Sequence, residues 1–129
     1  MRLLEEIAEL VPGARCRARR RTRGDDFYFQ GHFPTAPVVP ACILIELIAQ
    51  AGGLAAGTAV STTSEPLQLR VAAFGPCKFP AAAGPGQSLE VDARVVGQFG
   101  ALFKVEGDVR ADGILVASGA VTLTDAPRP

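Results

Sequence analysis

The second half of the chain alternates between apolar and polar residues, which is the period expected of half-buried β-strands. From position 88 to 95 the odd positions are apolar and most even positions are charged, and residues 103–109 follow a similar rule. A third strand is predicted over Ile114–Thr124, after a hairpin turn at Ala111-Asp112-Gly113. Gly97 and Gly100 flank a predicted turn around Gln98-Phe99. Consecutive strands joined by short turns predict an antiparallel meander.

The middle of the chain is almost continuously apolar, from Val38 to Val60. Pro40 suits the first turn of a helix and Gly57 suits its end, which predicts a helix over Ala41–Ala56. The run is long enough to cross a membrane. However, a mid-span glutamate is costly in lipid, and a helix that is apolar on every side also suits the centre of a folded protein. We therefore expect this helix to lie in the core of a soluble protein.

The first quarter of the chain is less regular. Ala14–Arg23 is predicted to be a strand between turns at Pro12-Gly13 and Gly24-Asp25-Asp26. Met1–Val11 has apolar residues at helical spacing but is short, so both a helix and a strand remain open there. Leu67–Gly75 is a further predicted strand. One apolar helix followed by consecutive strands predicts an α+β fold, with the sheet wrapped around one long central helix.

Length and composition exclude several classes of protein. With 129 residues, 48% of them hydrophobic, we expect one folded domain spanning residues 1–129 rather than a disordered chain. Thirteen basic residues balance thirteen acidic ones, which argues against a general nucleic-acid binder. Three scattered cysteines and one histidine disfavour a zinc site, so no metal is expected. The odd number of cysteines and the lack of a signal-peptide pattern favour a cytoplasmic location.

Arginines are concentrated in the predicted strand Ala14–Arg23. Because strand side chains alternate, one face would carry five of them: Arg15, Arg17, Arg19, Arg21 and Arg23. One interpretation is a solvated outer face that discourages pairing with other strands. The other is a docking surface for an acidic partner or a phosphate group.

Candidate chemistry lies around the single histidine, His32. Three prolines follow at intervals of three residues and stiffen its loop. The apolar helix then carries one carboxyl group, Glu46, with Gln50 four residues later on the same face. Burial would favour the neutral, proton-donating form of Glu46, while His32 is a suitable base near neutral pH. The helix start also offers backbone N–H groups at Ala41 and Cys42 that suit a developing oxyanion.

Non-catalytic interpretations of these residues remain open. Glu46 and Gln50 form a plausible hydrogen-bonded pair at a dimer interface, and His32 a plausible loop cap. Cys42 is disfavoured as a nucleophile, because small apolar packing is the commoner role of such a cysteine.

One segment, Gly31–Gly53, closely resembles the signature of the 3-hydroxyacyl-[acyl carrier protein] dehydratases. Its sequence is GHFPTAPVVPACILIELIAQAGG. The residues in register are His32, Phe33, Pro34, Pro37, Pro40, Glu46, Ala49 and Gln50. Phe74–Phe79 and Pro85-Gly86 resemble later parts of the same pattern. The resemblance implies a hot-dog fold, a homodimer or a higher assembly of dimers, and active sites shared between two subunits.

The resemblance also implies roles for individual residues. His32 would remove the C2 proton of a 3-hydroxyacyl thioester, and Glu46 would protonate the departing hydroxyl. The amide of Cys42, next to Ala41, would bind the thioester oxygen, and Gln50 would orient Glu46. Gly31 and Phe33 would line the substrate site. The substrate would be carried on the phosphopantetheine of acyl carrier protein, or as a coenzyme A thioester, with no further cofactor. The acidic carrier would dock on a basic face of four arginines: Arg15, Arg17, Arg19 and Arg21.

The chain departs from the family pattern at several positions. Ala41 replaces a glycine, Thr35 replaces a frequent glycine, and Gln87 stands where aspartate is common. The start of the chain is shorter than the pattern, so Met1–Val11 is expected to be the first strand. The function expected is dehydration to a trans-2-enoyl thioester in fatty acid or polyketide-type synthesis. The alternatives are a hot-dog acyl thioesterase and a non-catalytic subunit that binds acyl carrier protein.

Overall fold

The computed structural model describes residues 3–29, 37–60 and 69–125. Within these ranges the chain forms six β-strands, one α-helix (α1, Ala41–Val60) and a 3-10 helix (Phe27–Phe29). The strands are β1 (Glu6–Val11), β2 (Arg15–Arg21), β3 (Arg70–Lys78), β4 (Ser88–Phe99), β5 (Leu102–Ala111) and β6 (Ile114–Thr124). The expected α+β class is confirmed.

The strands form one antiparallel sheet in the order β1-β2-β4-β5-β6-β3, so β1 and β3 are its edges. The meander predicted for the second half corresponds to β4-β5-β6. Its last hairpin turns at Asp112 and Gly113, whose positive φ values of 47° and 86° suit a tight two-residue connection. The predicted turn around Gln98-Phe99 is wrong. β4 continues through those residues past an irregularity after Val95, and the chain turns instead at Gly100-Ala101.

The helix α1 packs mainly against β4, β5 and β2, and most of its apolar residues are buried, as expected for a central helix. Two glycines allow this close approach. A Cβ on Gly52 would lie 2.5 Å from Val105 Cγ1, and one on Gly107 would lie 2.7 Å from Ile48 Cγ2. The predicted end at Gly57 is wrong, because that residue keeps a helical conformation and α1 continues to Val60. No helix in the described ranges combines the length and apolar character needed to cross a bilayer.

The two edge strands, β1 and β3, differ most from the elements predicted from the sequence. Met1–Val11 contains a strand, β1, and the helical alternative is wrong, because these residues pair with β2. On the other edge, β3 runs past the expected end at Gly75 to Lys78. It does so through an irregularity between Phe74 and Cys77, and Pro76 is tolerated there because β3 is an edge strand.

Candidate active site

The first turn of α1 presents backbone amides without partners in the described part of the chain. The carbonyl of Pro40 accepts the N–H groups of Ile43 and Leu44, at 3.0 and 3.3 Å. The amides of Ala41 and Cys42 make no hydrogen bond with any described residue, and both residues are exposed. Aligned helix amides favour negative charge at this end. Within the described ranges, no residue binds the Cys42 N–H, which is the group expected to hold the oxyanion.

Glu46 and Gln50 form the polar pair expected one turn further along α1. The Gln50 side-chain amide (Nε2) donates a 3.2 Å hydrogen bond to Glu46 Oε1, and both side chains are half-buried. Cys42, Glu46 and Gln50 are spaced four residues apart, so they follow one side of the helix. The carboxyl group of Glu46 therefore lies on the same side of α1 as the Cys42 side chain, one turn after the N-terminal amides.

The orientation of Gln50 is determined by the segment before β1. The backbone N–H of Leu3 donates to Gln50 Oε1 at 2.8 Å. A backbone N–H is only a donor, so it must face the oxygen of the amide group, and the NH₂ group of Gln50 must then face Glu46. Glu46 Oε1 is consequently the oxygen that accepts from Gln50.

Three of the expected site residues lie outside the described residues. They are Gly31, His32 and Phe33. The segments on either side of them are well anchored. Before them, the 3-10 helix Phe27–Phe29 buries Tyr28 and Phe29. After them, the Val39 N–H donates to the Ala83 carbonyl at 2.7 Å and leads directly into α1.

A buried polar cluster that the sequence did not single out lies beside this site. Arg20 Nη2 contacts Asp26 Oδ1 at 2.9 Å, Arg20 Nε donates to Tyr28 Oη at 3.2 Å, and Arg20 Nη1 donates to the Leu3 carbonyl at 3.1 Å. Tyr28 in turn donates to Asp26 Oδ2 at 2.7 Å. The side chains of Arg20 and Asp26 are only 12% and 9% exposed. A sequence signal existed, since strand alternation places Arg20 on the same face as Cys16 and Ala18, where a charge requires partners.

The cluster shifts the protonation equilibria of its members. Burial, reinforced by the hydrogen bond to Asp26, raises the pKa of Tyr28 to about 12. Burial alone would raise the pKa of Asp26, but hydrogen bonds from Tyr28 and from the Arg23 N–H, with the charge of Arg20, outweigh it and lower that pKa. The cluster therefore contains a neutral phenol between a carboxylate and a guanidinium.

The turn before β4 is fixed by a second buried group, Thr22, which is 1% exposed. Its hydroxyl donates to the Gly84 carbonyl at 2.7 Å and accepts the Gln87 N–H at 2.8 Å. The Gln87 side chain also accepts the Gly84 N–H, at 2.6 Å. Gln87 thus supplies a side-chain acceptor within the turn, although aspartate is common there in the family pattern.

The arginine face of β2 points outward, with Arg19 and Arg21 exposed and Arg15 and Arg17 half-buried, and much of its charge is paired within the sheet. Arg15 and Arg17 contact Glu9, and Arg17 and Arg19 contact Glu90, at 3.3–3.8 Å. Arg19 also contacts Glu6 at 3.4 Å. The fifth predicted member, Arg23, lies beyond the strand and pairs with Glu5. Arg21 is exposed and makes no ion pair with a described residue.

The remaining candidates are the cysteines and metal ligands. Cys16 is buried, Cys77 is half-buried and Cys42 is exposed, and all three are free thiols. In the described ranges, no three His, Cys, Asp or Glu side chains are grouped in a way that suits a metal ion.

Comparison with solved structures supports the fold. The chain resembles a structure titled "The Dehydratase Heterocomplex ApeI:P" from Xenorhabdus doucetiae, with a TM-score of 0.76 at 15% identity over 98% of this chain and 84% of that one. It also resembles the TT0310 protein of Thermus thermophilus, with a TM-score of 0.70 at 19% identity over 92% and 89% of the two chains. An antiparallel sheet packed on one long helix, together with these similar structures, defines a hot-dog fold.

Comparison of sequences identifies the family. The model of the FabA-like domain matches residues 1–120. A 3-hydroxyacyl-[acyl-carrier-protein] dehydratase FabZ from Nitratidesulfovibrio vulgaris (strain DP4) is 32% identical over 120 residues, which are 93% of this chain and 78% of the relative. The chain belongs to the FabA-like dehydratase family. The family assignment made from the Gly31–Gly53 motif is confirmed.

Proposed function

We propose that this protein dehydrates 3-hydroxyacyl thioesters to trans-2-enoyl thioesters, in synthesis of the fatty acid or polyketide type. The observation that carries the proposal is the arrangement on α1: Glu46 is held by Gln50 one turn from the amides of Ala41 and Cys42, which bind no described residue. Elimination of water next to a thioester requires a proton donor for the hydroxyl and a site for negative charge on the carbonyl oxygen. Glu46 and these amides both lie in the N-terminal half of α1.

The proposed reaction uses two protein groups and the helix amides. His32 takes the C2 proton while the Cys42 N–H stabilises the charge that develops on the thioester oxygen. The C3–O bond breaks, the double bond forms between C2 and C3, and Glu46 Oε2 donates its proton so that water leaves. Gln50 holds the other oxygen of Glu46 throughout. Exchange with solvent then returns His32 to the neutral form and Glu46 to the acid.

We also propose that the active protein is a homodimer in which His32 of one subunit acts with Glu46 of the other. Two features support this assembly. Glu46 is only half-buried within one chain, so a second subunit has room to cover its carboxyl group. The edge strand β3 also exposes a large apolar side chain, Phe74, which is 67% accessible.

The substrate is proposed to arrive on acyl carrier protein, with a coenzyme A thioester as the simpler substitute. The in-sheet ion pairs of Arg15, Arg17 and Arg19 reduce the field of the arginine face. Arg21, which is exposed, is therefore the strongest candidate among the four for contact with the acidic carrier. A cytoplasmic location, proposed from the three free cysteines, is consistent with such a carrier-dependent reaction.

The experiment is hydration of crotonyl thioester, the reverse reaction, followed by the loss of enoyl absorbance. Glu46→Gln and His32→Ala are expected to lower kcat by roughly 10²–10⁴-fold, because each removes a proton-transfer group. Glu106→Gln is the matched control, since Glu106 is an exposed carboxyl on β5 and is expected to leave kcat unchanged. Full activity of either site variant contradicts the proposal. Release of free thiol would indicate a thioesterase, and carrier binding without turnover would indicate a non-catalytic subunit.

A further inference from the structure

The inner face of β2 carries a charge that the proposed reaction does not use. Arg20 lies on the same side of the strand as Cys16, Ala18 and Thr22, all of which are buried. Its guanidinium uses three nitrogen atoms on three different groups: the carboxylate of Asp26, the hydroxyl of Tyr28 and the backbone carbonyl of Leu3. The contacts with Asp26 and Tyr28 lie within the cluster, whereas the contact with Leu3 connects the cluster to the segment before β1.

The contact with Leu3 connects the cluster to the acid. Leu3 is 1% exposed, and its backbone is bound on both sides. Its carbonyl accepts from Arg20 at 3.1 Å and its N–H donates to Gln50 at 2.8 Å. Gln50 then donates to Glu46 at 3.2 Å. One continuous hydrogen-bonded series thus connects four groups: Arg20 on β2, Leu3 in the segment before β1, and Gln50 and Glu46 on α1.

We propose that Arg20 is a positioning residue for the dehydration, which fixes Leu3 so that Leu3 orients Gln50 and Gln50 holds Glu46. This inference rests on the proposed function of Glu46 as the acid. The planar, forked guanidinium is suited to the task, because one rigid group binds three acceptors in fixed directions. Asp26 and Tyr28 hold the guanidinium in place, and only Nη1 is directed at the backbone of Leu3.

Arg20→Lys tests this role with the charge preserved. A lysine presents its donors from a single point and cannot bind Asp26, Tyr28 and Leu3 in the same fork. We expect kcat for crotonyl thioester hydration to fall about tenfold, because misplacement of a catalytic group by less than 1 Å is sufficient for such a loss. KM is expected to change less than twofold. Arg94→Lys is the matched control, because Arg94 is also ion-paired on the sheet but lies on the outer face of β4.

A double-mutant cycle separates positioning from general structural support. If Arg20 acts through Gln50, then Arg20→Lys in a Gln50→Ala background should lower kcat no further than Gln50→Ala alone, within twofold. Equal losses of kcat in both backgrounds would overturn the inference. The triple variant Arg20→Met/Asp26→Leu/Tyr28→Phe replaces the cluster with apolar groups, which often preserves stability. It should fold and still show the tenfold loss, and wild-type kcat in a folded triple variant contradicts the proposal.

A spectroscopic measurement tests the inference without activity. The side-chain ¹⁵N amide signal of Gln50, assigned by its loss in Gln50→Ala, should move toward the position of a free amide in Arg20→Lys and stay in place in Arg94→Lys. An unchanged Gln50 signal in Arg20→Lys overturns the inference, even if the wild-type protein proves to have no hydratase activity. Inactive wild-type protein with a shifted signal would instead contradict only the proposed function.

Discussion

The arginines of β2 lie in two different environments, because the side chain of Arg20 points to the other face of the strand. Arg15, Arg17 and Arg19 face outward and make ion pairs whose side chains are about 40% exposed or more. Such exposed pairs each contribute little to stability, commonly about 0–1 kcal/mol. Arg20 faces inward and pairs with Asp26. Loss of either side chain would leave the other charge buried without its partner, so substitution of Arg20 is expected to be far more costly. Position within the strand, and not arginine content, therefore determines which of these residues matters to the site.

Tyr28 allows a direct test of the Arg20 cluster, because it is the single tyrosine of the chain and there is no tryptophan. Titration followed by absorbance at 295 nm should give a midpoint near the pKa of about 12, compared with about 10 for an unfolded chain. Between these values the unfolded tyrosine is ionised and the folded one is not. The stability that Tyr28 contributes should therefore be fully present below about pH 10 and decline as the pH rises toward 12.

Two variants serve as controls for this titration. Asp26→Asn removes the negative charge beside the phenol and should lower the pKa of Tyr28 below the wild-type value. Tyr28→Phe removes the titrating phenol. The wild-type protein and this variant should therefore differ less in free energy of unfolding as the pH rises above 10. A wild-type midpoint near 10, in protein shown to be folded, would mean that the phenol is neither buried nor bonded as described.

At the scale of elements, the contact between α1 and β5 depends on the absence of a side chain at position 52. A Cβ there would approach three atoms of Val105 within 2.5–3.2 Å, whereas a Cβ on Gly53 would find only Leu123 Cδ1, at 4.0 Å. Val105 is fully buried and branched at Cβ, so it has little freedom to move aside. Gly52 thus sets how closely the helix lies on the sheet.

Gly52→Ala and Gly53→Ala form a matched pair that measures this contact. Both substitutions should gain about 1 kcal/mol from helix propensity. Only Gly52→Ala overpacks the core, so it should be less stable than Gly53→Ala by about 1–3 kcal/mol in urea unfolding. Equal stability of the two variants would show that the helix is further from β5 than the structure places it.

The elements that could be predicted from the sequence are those whose pattern reflects a uniform environment. β5, and β4 up to Val95, alternate regularly because one face meets α1 and the other meets solvent, and α1 is apolar because it is enclosed. β6 alternates less regularly and is predicted from the hairpin turn before it. The edge strands β1 and β3 lack this uniformity, since pairing on one side and an irregular register break the pattern.

The residues of the site can also be divided into those that the sequence predicts and those that it does not. Glu46, Gln50 and the helix amides follow from spacing, whereas the Leu3–Gln50 contact joins residues 47 positions apart and has no local signal.

At the scale of the whole molecule, one chain shows a carboxyl group held in place but only half enclosed, and a sheet that ends in an accessible edge at β3. A dimer of two such chains would satisfy both features, because each subunit would cover the site of the other. Closed twofold symmetry would then produce two equivalent sites, each using one residue from either chain. The proposed sharing of His32 and Glu46 is therefore a claim about assembly as well as about chemistry.

Mixing two inactive variants tests that claim. His32→Ala and Glu46→Gln homodimers each lack one group in every site, but a mixed dimer contains one complete site and one site that lacks both groups. Random subunit exchange should therefore restore about a quarter of the wild-type activity. Adding Phe74→Lys to both variants should prevent the recovery if β3 forms the interface, whereas Ile114→Lys, at an exposed hairpin position, should not. Absence of recovery in a mixture whose exchange is confirmed by mass spectrometry would mean that both groups act within one chain.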